Sequence, residues 1–201
     1  MGRSISAIWI LLLGMLIHTA VATASNYTRE DMLQLPEYCQ ARMADVIGVQ
    51  APGSRADRVQ HWKNLFGNDF TWMNHYCIGL IYANRANRSF DDPRMTKENL
   101  NQAADNFEYT FSHVSQQWPY MPKAYVEYGK VLERLGRKPE ASQQYLQAMQ
   151  LKPDYVRAYI ALSIFYERQG NAAAARDVLE DGLKHAPDSR SLKRRLAKLD
   201  S

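Results

Sequence analysis

The densest group of potentially reactive side chains in the sequence is Trp72-Met73-Asn74-His75-Tyr76-Cys77, which places a thioether, an imidazole and a thiol within five residues. Soft ligands of that kind suit copper. Residues two apart on a helix point about 200° apart, however, so Met73, His75 and Cys77 do not converge on one ion unless the helix unwinds. The same residues have structural roles open to them: Trp72 and Tyr76 as core aromatics, His75 as a hydrogen-bonded, half-buried side chain, and Cys77 as half of a disulfide. Elsewhere the chain has no phosphate-binding glycine loop, no haem-attachment Cys-x-x-Cys-His, no nucleophile elbow and no zinc-type spacing of cysteine and histidine. The expectation is therefore a protein that is not an enzyme and holds no metal or cofactor. A metal- or redox-handling protein using His75 to Cys77 is the alternative.

The compartment is read from the N-terminus. Arg3 precedes the apolar run Ala7 to Ile17, which leads to Ala22-Thr23-Ala24, the pattern of a secretory signal peptide cleaved after Ala24. That run is short for a bilayer core, which needs about 20 residues, and His18 and Thr19 interrupt it; an uncleaved anchor is the competing reading. No integral membrane span is expected after cleavage, and the localisation predicted is periplasmic or secreted. The leader is bacterial in style, so the sequons at Asn26 and Asn87 are expected to stay unmodified. Both cysteines, Cys39 and Cys77, lie beyond the leader, and an even pair in an exported chain favours a disulfide over two buried thiols. The net charge of +4, interspersed along the chain, does not argue for nucleic acid.

The elements that position these residues follow from an internal repeat. Residues 122–153 align with 156–187 at a period of 34, pairing Ala124 with Ala158, Tyr125 with Tyr159, Gly136 with Gly170, Ala141 with Ala175, Ala148 with Gly182 and Pro153 with Pro187. Gly136 and Gly170 fall between helical stretches, where a residue tolerating positive φ ends the first helix. Ala141, Tyr145 and Ala148, like Ala175, Leu179 and Gly182, sit at i, i+4, i+7, giving each second helix a face of small residues around a large one. Pro153 and Pro187 end each unit.

At these residues the chain resembles the tetratricopeptide-repeat (TPR) family. One unit carries Tyr125, Gly129, Leu132, Gly136, Ala141, Tyr145, Ala148 and Pro153; the next carries Tyr159, Leu162, Tyr166, Gly170, Ala175, Leu179 and Pro187, departing from the pattern at Ser163 and Gly182. The resemblance extends in part over 72–118 and does not reach 25–71. Tyr76, Ile78, Gly79 and Tyr82 read as a first repeat helix and Ala103, Phe107 and Phe111 as a second. Gly79 to Ala103 is a step of 24 residues where Gly129 to Ala141 is a step of 12, so about a dozen residues are inserted. The expectation is a loop from Arg85 to Thr96, with Thr96 capping a helix from Lys97 to about Gln117. N-terminal helices are predicted from a Thr28–Asp31 capping box, from Pro36 to Ile47, and from a Ser54 cap to Phe66, with loops at 50–53 and 67–69. Leu192, Leu196 and Leu199 face inward on a final capping helix whose cations face outward.

The fold expected is all-α: a short right-handed α-solenoid of helix-turn-helix units, with an N-terminal helical cap over 25–71, an irregular unit over 72–121, regular units over 122–187 and a capping helix over 188–201. A bridge between Cys39 and Cys77 would staple the cap to the array. The resemblance implies a concave groove lined by Lys123, Val126, Lys130 and Glu133 in one unit and Arg157, Ile160, Ile164 and Glu167 in the next, with Tyr76 and Leu80 from the irregular unit. Basic at one end of each helix and apolar in the middle, such a groove suits a protein or peptide with an acidic group and an apolar anchor. The two-carboxylate clamp of chaperone-binding relatives needs an Asn that is missing here. A permanently buried structural subunit is a further possibility, and the oligomeric state is not encoded legibly.

Overall fold

The computed structural model describes residues 26–47 and 55–199. The leader, the loop at 50–53 and the Ser54 cap lie outside the described residues. The array proper consists of α5 (Asn74–Arg88), α6 (Pro93–His113), α7 (Met121–Arg134), α8 (Lys138–Leu151), α9 (Val156–Arg168), α10 (Ala172–His185) and α11 (Arg190–Leu199). Before it come α1 (Arg29–Leu33), α2 (Glu37–Ile47), α3 (Ala56–Phe66) and α4 (Asp69–Trp72). No strand occurs among the described residues, and no described helix is long and apolar enough to cross a membrane. The chain is an all-α solenoid of paired helices.

The 34-residue period is visible in the backbone itself. Gly136 and Gly170 have φ of 79° and 75°, and each closes its helix with the same two bonds. The N–H of Gly136 donates to the Glu133 carbonyl and that of Arg137 to Leu132; the N–H of Gly170 donates to Glu167 and that of Asn171 to Tyr166. This satisfies carbonyls that a helix end otherwise leaves unpaired. Ala141, Ala148 and Ala175 are fully buried, as expected for helices that approach closely at small residues. Gly182, where the repeat pattern has Ala, has a physical reason: a Cβ there would lie 2.8 Å from Cγ of Tyr159, the rigid base of a buried ring.

The irregular unit differs from expectation in a way that sequence spacing alone left open. The extra residues lengthen helices and form no long loop: α5 continues to Arg88 and α6 begins at Pro93, joined by residues 89–92. Asp92, not Thr96, caps α6, its side chain accepting from the Met95 N–H; Pro93 in the first turn has no N–H to satisfy. Thr96 lies inside the helix and donates its hydroxyl to the Ser89 carbonyl at 2.5 Å, tying the turn down. α6 ends at His113, short of Gln117, with Val114 extended.

The cap is built on an aromatic cluster and one buried carboxylate. Thr28 and Asp31 form the expected capping box of α1. Arg55 stands at the start of α3 and makes no side-chain capping bond; its guanidinium donates instead to Asp57 at 3.2 Å. Tyr38 of α2 stacks on Tyr76 of α5 and packs against Trp62, Phe66 and Tyr120. Asp31, 1% exposed, accepts from Arg85 at 2.6 Å and from Arg88 at 2.6 Å. Burial alone would raise the Asp31 pKa; the Arg85 guanidinium, the Thr28 N–H and Arg88 outweigh it and hold the carboxyl well below the usual carboxylate range. Cys39 and Cys77 are joined in a disulfide with Cα atoms 5.4 Å apart, fastening α2 to α5.

Candidate binding groove

Helical periodicity turns three faces toward one concavity. On α9, Arg157, Ile160, Ala161 and Ile164 stand at i, i+3, i+4, i+7, one stripe of the helix. On α7 the facing residues are Val126, Glu127 and Lys130, and with the α9 stripe they line a cleft of about 260 Å³. A second cleft, of about 460 Å³, is lined by Ile160 with Ser191, Arg194, Arg195 and Lys198 of α11. Ile160 belongs to both, so the clefts adjoin across α9.

Of the residues predicted from sequence, Val126, Lys130, Arg157, Ile160 and Ile164 come together in the first cleft. Tyr76 does not take part: it is fully buried under Tyr38, because the cap lies over the position a groove residue would occupy. Burial pushes its hydroxyl well above the ordinary tyrosine range, with the neighbouring Tyr38 adding to the shift. Leu80 is half-buried against the core and lines neither cleft. Lys123, on the same side, is half-buried and donates to the Tyr38 hydroxyl at 3.0 Å. The cap therefore covers Tyr76 on α5 and reaches α7 through the Tyr38–Lys123 bond.

The two predicted acids act as braces between helices. Glu133 accepts from the Tyr145 hydroxyl at 3.2 Å and from Arg168 at 2.8 Å, linking α7, α8 and α9. Glu167 accepts from Arg195, linking α9 to α11. Lys130 pairs with Glu127 at 3.0 Å and keeps half its side chain in solvent.

Four lining residues of the second cleft were not foreseen, since the cations of α11 read as a solvated outer face. The signal was present in the period. Moving Arg157, Ile160, Ala161 and Ile164 on by 34 gives Ser191, Arg194, Arg195 and Lys198, the α11 contribution to that cleft. Arg190 and Lys193 are exposed as expected, whereas the Arg195 side chain is only 16% exposed.

The cluster at 72–77 is structural. Cys77 is spent in the disulfide and Met73 is fully buried in the core, so the alternative metal reading loses two of its three ligands. His75 shares a hydrogen bond with the Asn106 side chain at 2.9 Å and packs on Tyr109. Trp72, expected in the core, is 40% exposed and lies against His113. No group of three His, Cys, Asp or Glu able to hold a metal occurs among the described residues.

With this geometry in place, comparison with known proteins identifies the repeats. Residues 122–155 and 156–199 each match the family description Tetratricopeptide repeat, so the chain carries TPR units over its C-terminal part, α11 included. Among solved structures it is similar to TTC0263, a thermophilic TPR protein in Thermus thermophilus, with a TM-score of 0.58 and 20% identity over 81% of this chain and 79% of that one. MamA aligns with a TM-score of 0.46 and 18% identity over 83% of each chain. The first TPR of Spaghetti (RPAP3), solved bound to the HSP90 peptide SRMEEVD, aligns with a TM-score of 0.42 and 18% identity over 61% of this chain and 93% of that one. At 20% identity the likeness to TTC0263 is one of fold alone. No curated protein matches in sequence.

Proposed function

We propose that this protein is an exported scaffold that holds a protein or peptide partner in the groove of α7, α9 and α11, assisting assembly of an envelope or secreted complex. The observation that carries the reading is the pair of adjoining clefts sharing Ile160, with an apolar floor of Val126, Ile160 and Ile164. Residues 122–199 match TPR units, whose stacked helix pairs present concave faces suited to partners. The rim carries Lys130, Arg157, Arg194, Arg195 and Lys198 against Glu127 and Glu167, so the complementary partner segment is acidic with an apolar anchor. Export is supported by the leader pattern and by the Cys39–Cys77 disulfide, since such bonds persist in oxidising compartments.

The experiment is a pull-down from native envelope and culture-medium fractions with the purified protein as bait. Lys130→Glu with Arg157→Glu should abolish capture of specific partners, while Lys138→Glu with Lys184→Glu, away from both clefts, should leave it intact. Equal losses from both pairs would reduce the interaction to unspecific charge attraction, and no loss from the groove pair would move the interface elsewhere.

A further inference from the structure

A third cavity, of about 210 Å³, opens beside the N-terminal ends of α7 and α9 and is lined by Tyr120, Lys123, Lys152, Tyr155 and Arg157 together with Pro119 and Pro122. Three cations from three separate segments meet there: Lys123 from the first turn of α7, Lys152 from the end of α8, and Arg157 from the first turn of α9. None of the three forms an ion pair among the described residues. Lys123 is half-buried and its ammonium donates to a neutral phenol, that of Tyr38, whose ring it also faces at 5.5 Å. The nearby carboxylate, Glu127, is already held by Lys130 at 3.0 Å. An ammonium partly removed from water without an ion-pair partner is unfavourable, and two neighbouring cations add to the cost. Burial pushes the Lys123 pKa down, Glu127 partly opposes this, and Arg157 and Lys130 depress it further. Both helices that begin at this pocket also direct the positive end of their dipoles toward it.

We propose that this pocket is a binding site for a compact oxyanion, a carboxylate or a phosphate group, held between Lys123, Lys152 and Arg157. Its volume is several times the roughly 30 Å³ share of one water molecule, room for the anionic group and a few attached atoms. The planar guanidinium of Arg157 supplies paired donors to two oxygens, and the two ammonium groups supply charge without fixed geometry. The site does not require that a protein occupy the rest of the groove.

The test is an NMR titration of the ¹⁵N-labelled protein with inorganic phosphate and, separately, with succinate, each against chloride at matched ionic strength. Saturable shifts confined to the amides of residues 120–124 and 152–158 are expected from at least one of them. Saturation by phosphate alone assigns a phosphate group; saturation by succinate as well assigns a carboxylate. Lys152→Gln with Arg157→Gln, both exposed and outside the core, should weaken the anion at least about tenfold, as loss of charge-assisted contacts does. Lys138→Gln with Lys184→Gln should leave it unchanged. Shifts that grow linearly as they do with chloride, or that survive the Lys152/Arg157 change, would overturn the site. Partner capture in the pull-down is a separate readout, so anion binding without capture, or capture without anion binding, shows which of the two readings fails.

Discussion

Replacing Gly129 by Ala tests the closest helix approach in the array. A Cβ at that position would lie 2.5 Å from Cε1 and 2.9 Å from Cδ1 of Tyr145, whereas carbon atoms pack best at about 3.5–4.0 Å. The ring must therefore recede by about 1 Å. The ring is confined: Tyr145 is 1% exposed, its hydroxyl donates to Glu133, and Phe165 packs against it edge-on with ring centres 6.0 Å apart. Overpacking costs about 1–3 kcal/mol, and a contact this short against a ring this confined belongs at the upper end, about 2–3 kcal/mol; the better helix propensity of Ala returns about 1 kcal/mol, so a net loss of about 1–2 kcal/mol is expected. For a chain of this size that lowers the melting temperature by about 2–8 °C, read by circular dichroism at 222 nm. Two other glycines calibrate the result. A Cβ at Gly79 would meet Phe107 at 3.2 Å, a distance that a small ring shift relieves, so Gly79→Ala should be near neutral. At Gly136 nothing lies within 4 Å but φ is 79°, so Gly136→Ala should cost about 1–2 kcal/mol through backbone strain alone. A Gly129→Ala protein as stable as the parent would show that α7 and α8 do not approach as described.

The remaining expectations concern the cap and the small-residue faces. Alkylation under non-reducing conditions followed by mass spectrometry should find Cys39 and Cys77 unmodified and linked. Changing both to Ala should release a 38-residue separation in the unfolded chain and cost about 4 kcal/mol in the entropy model. Asp31→Asn should cost about 3 kcal/mol at neutral pH, because it leaves Arg85 and Arg88 facing a neutral group. The folded-state pKa of Asp31 is depressed, so its contribution is complete above the ordinary Asp value of about 3.9 and is lost as pH falls below it. Parent and variant should therefore converge in denaturant midpoint on acidification, and a gap that persists at low pH would contradict the assignment. Ala175→Leu, at a fully buried helix contact, should cost about 1–3 kcal/mol.

Much of the array was legible because its determinants are local and periodic. Gly136 and Gly170 announce positive φ, the small residues of α8 and α10 announce close contacts, and a shift of 34 carries one groove stripe onto the next. The same shift would have found Arg194, Arg195 and Lys198, but their charge argued for solvent, and a shallow groove is itself solvated. Tyr76 was misplaced for a different reason. Its position in the repeat is a groove position, and only the tertiary docking of α2, through Tyr38 and the disulfide, turns that position into core. The insertion near 85–96 misled because Asp92-Pro93 signals equally a loop and the capped start of a helix; helical extension won since Ala86 buries in the core on α5, while the Asp92 cap and the Thr96–Ser89 bond fix the start of α6.

The central claim is that the working surface is the groove of α7, α9 and α11, and the most direct measurement is site-specific photo-crosslinking in cells that naturally produce the protein. A photoreactive residue at Ile164, in the first cleft, should give a discrete crosslinked adduct that disappears when Lys130 and Arg157 are reversed to Glu. The same probe at Leu146, 41% exposed on α8 and lining neither cleft, should give none. An adduct at Leu146 with none at Ile164 would contradict the account.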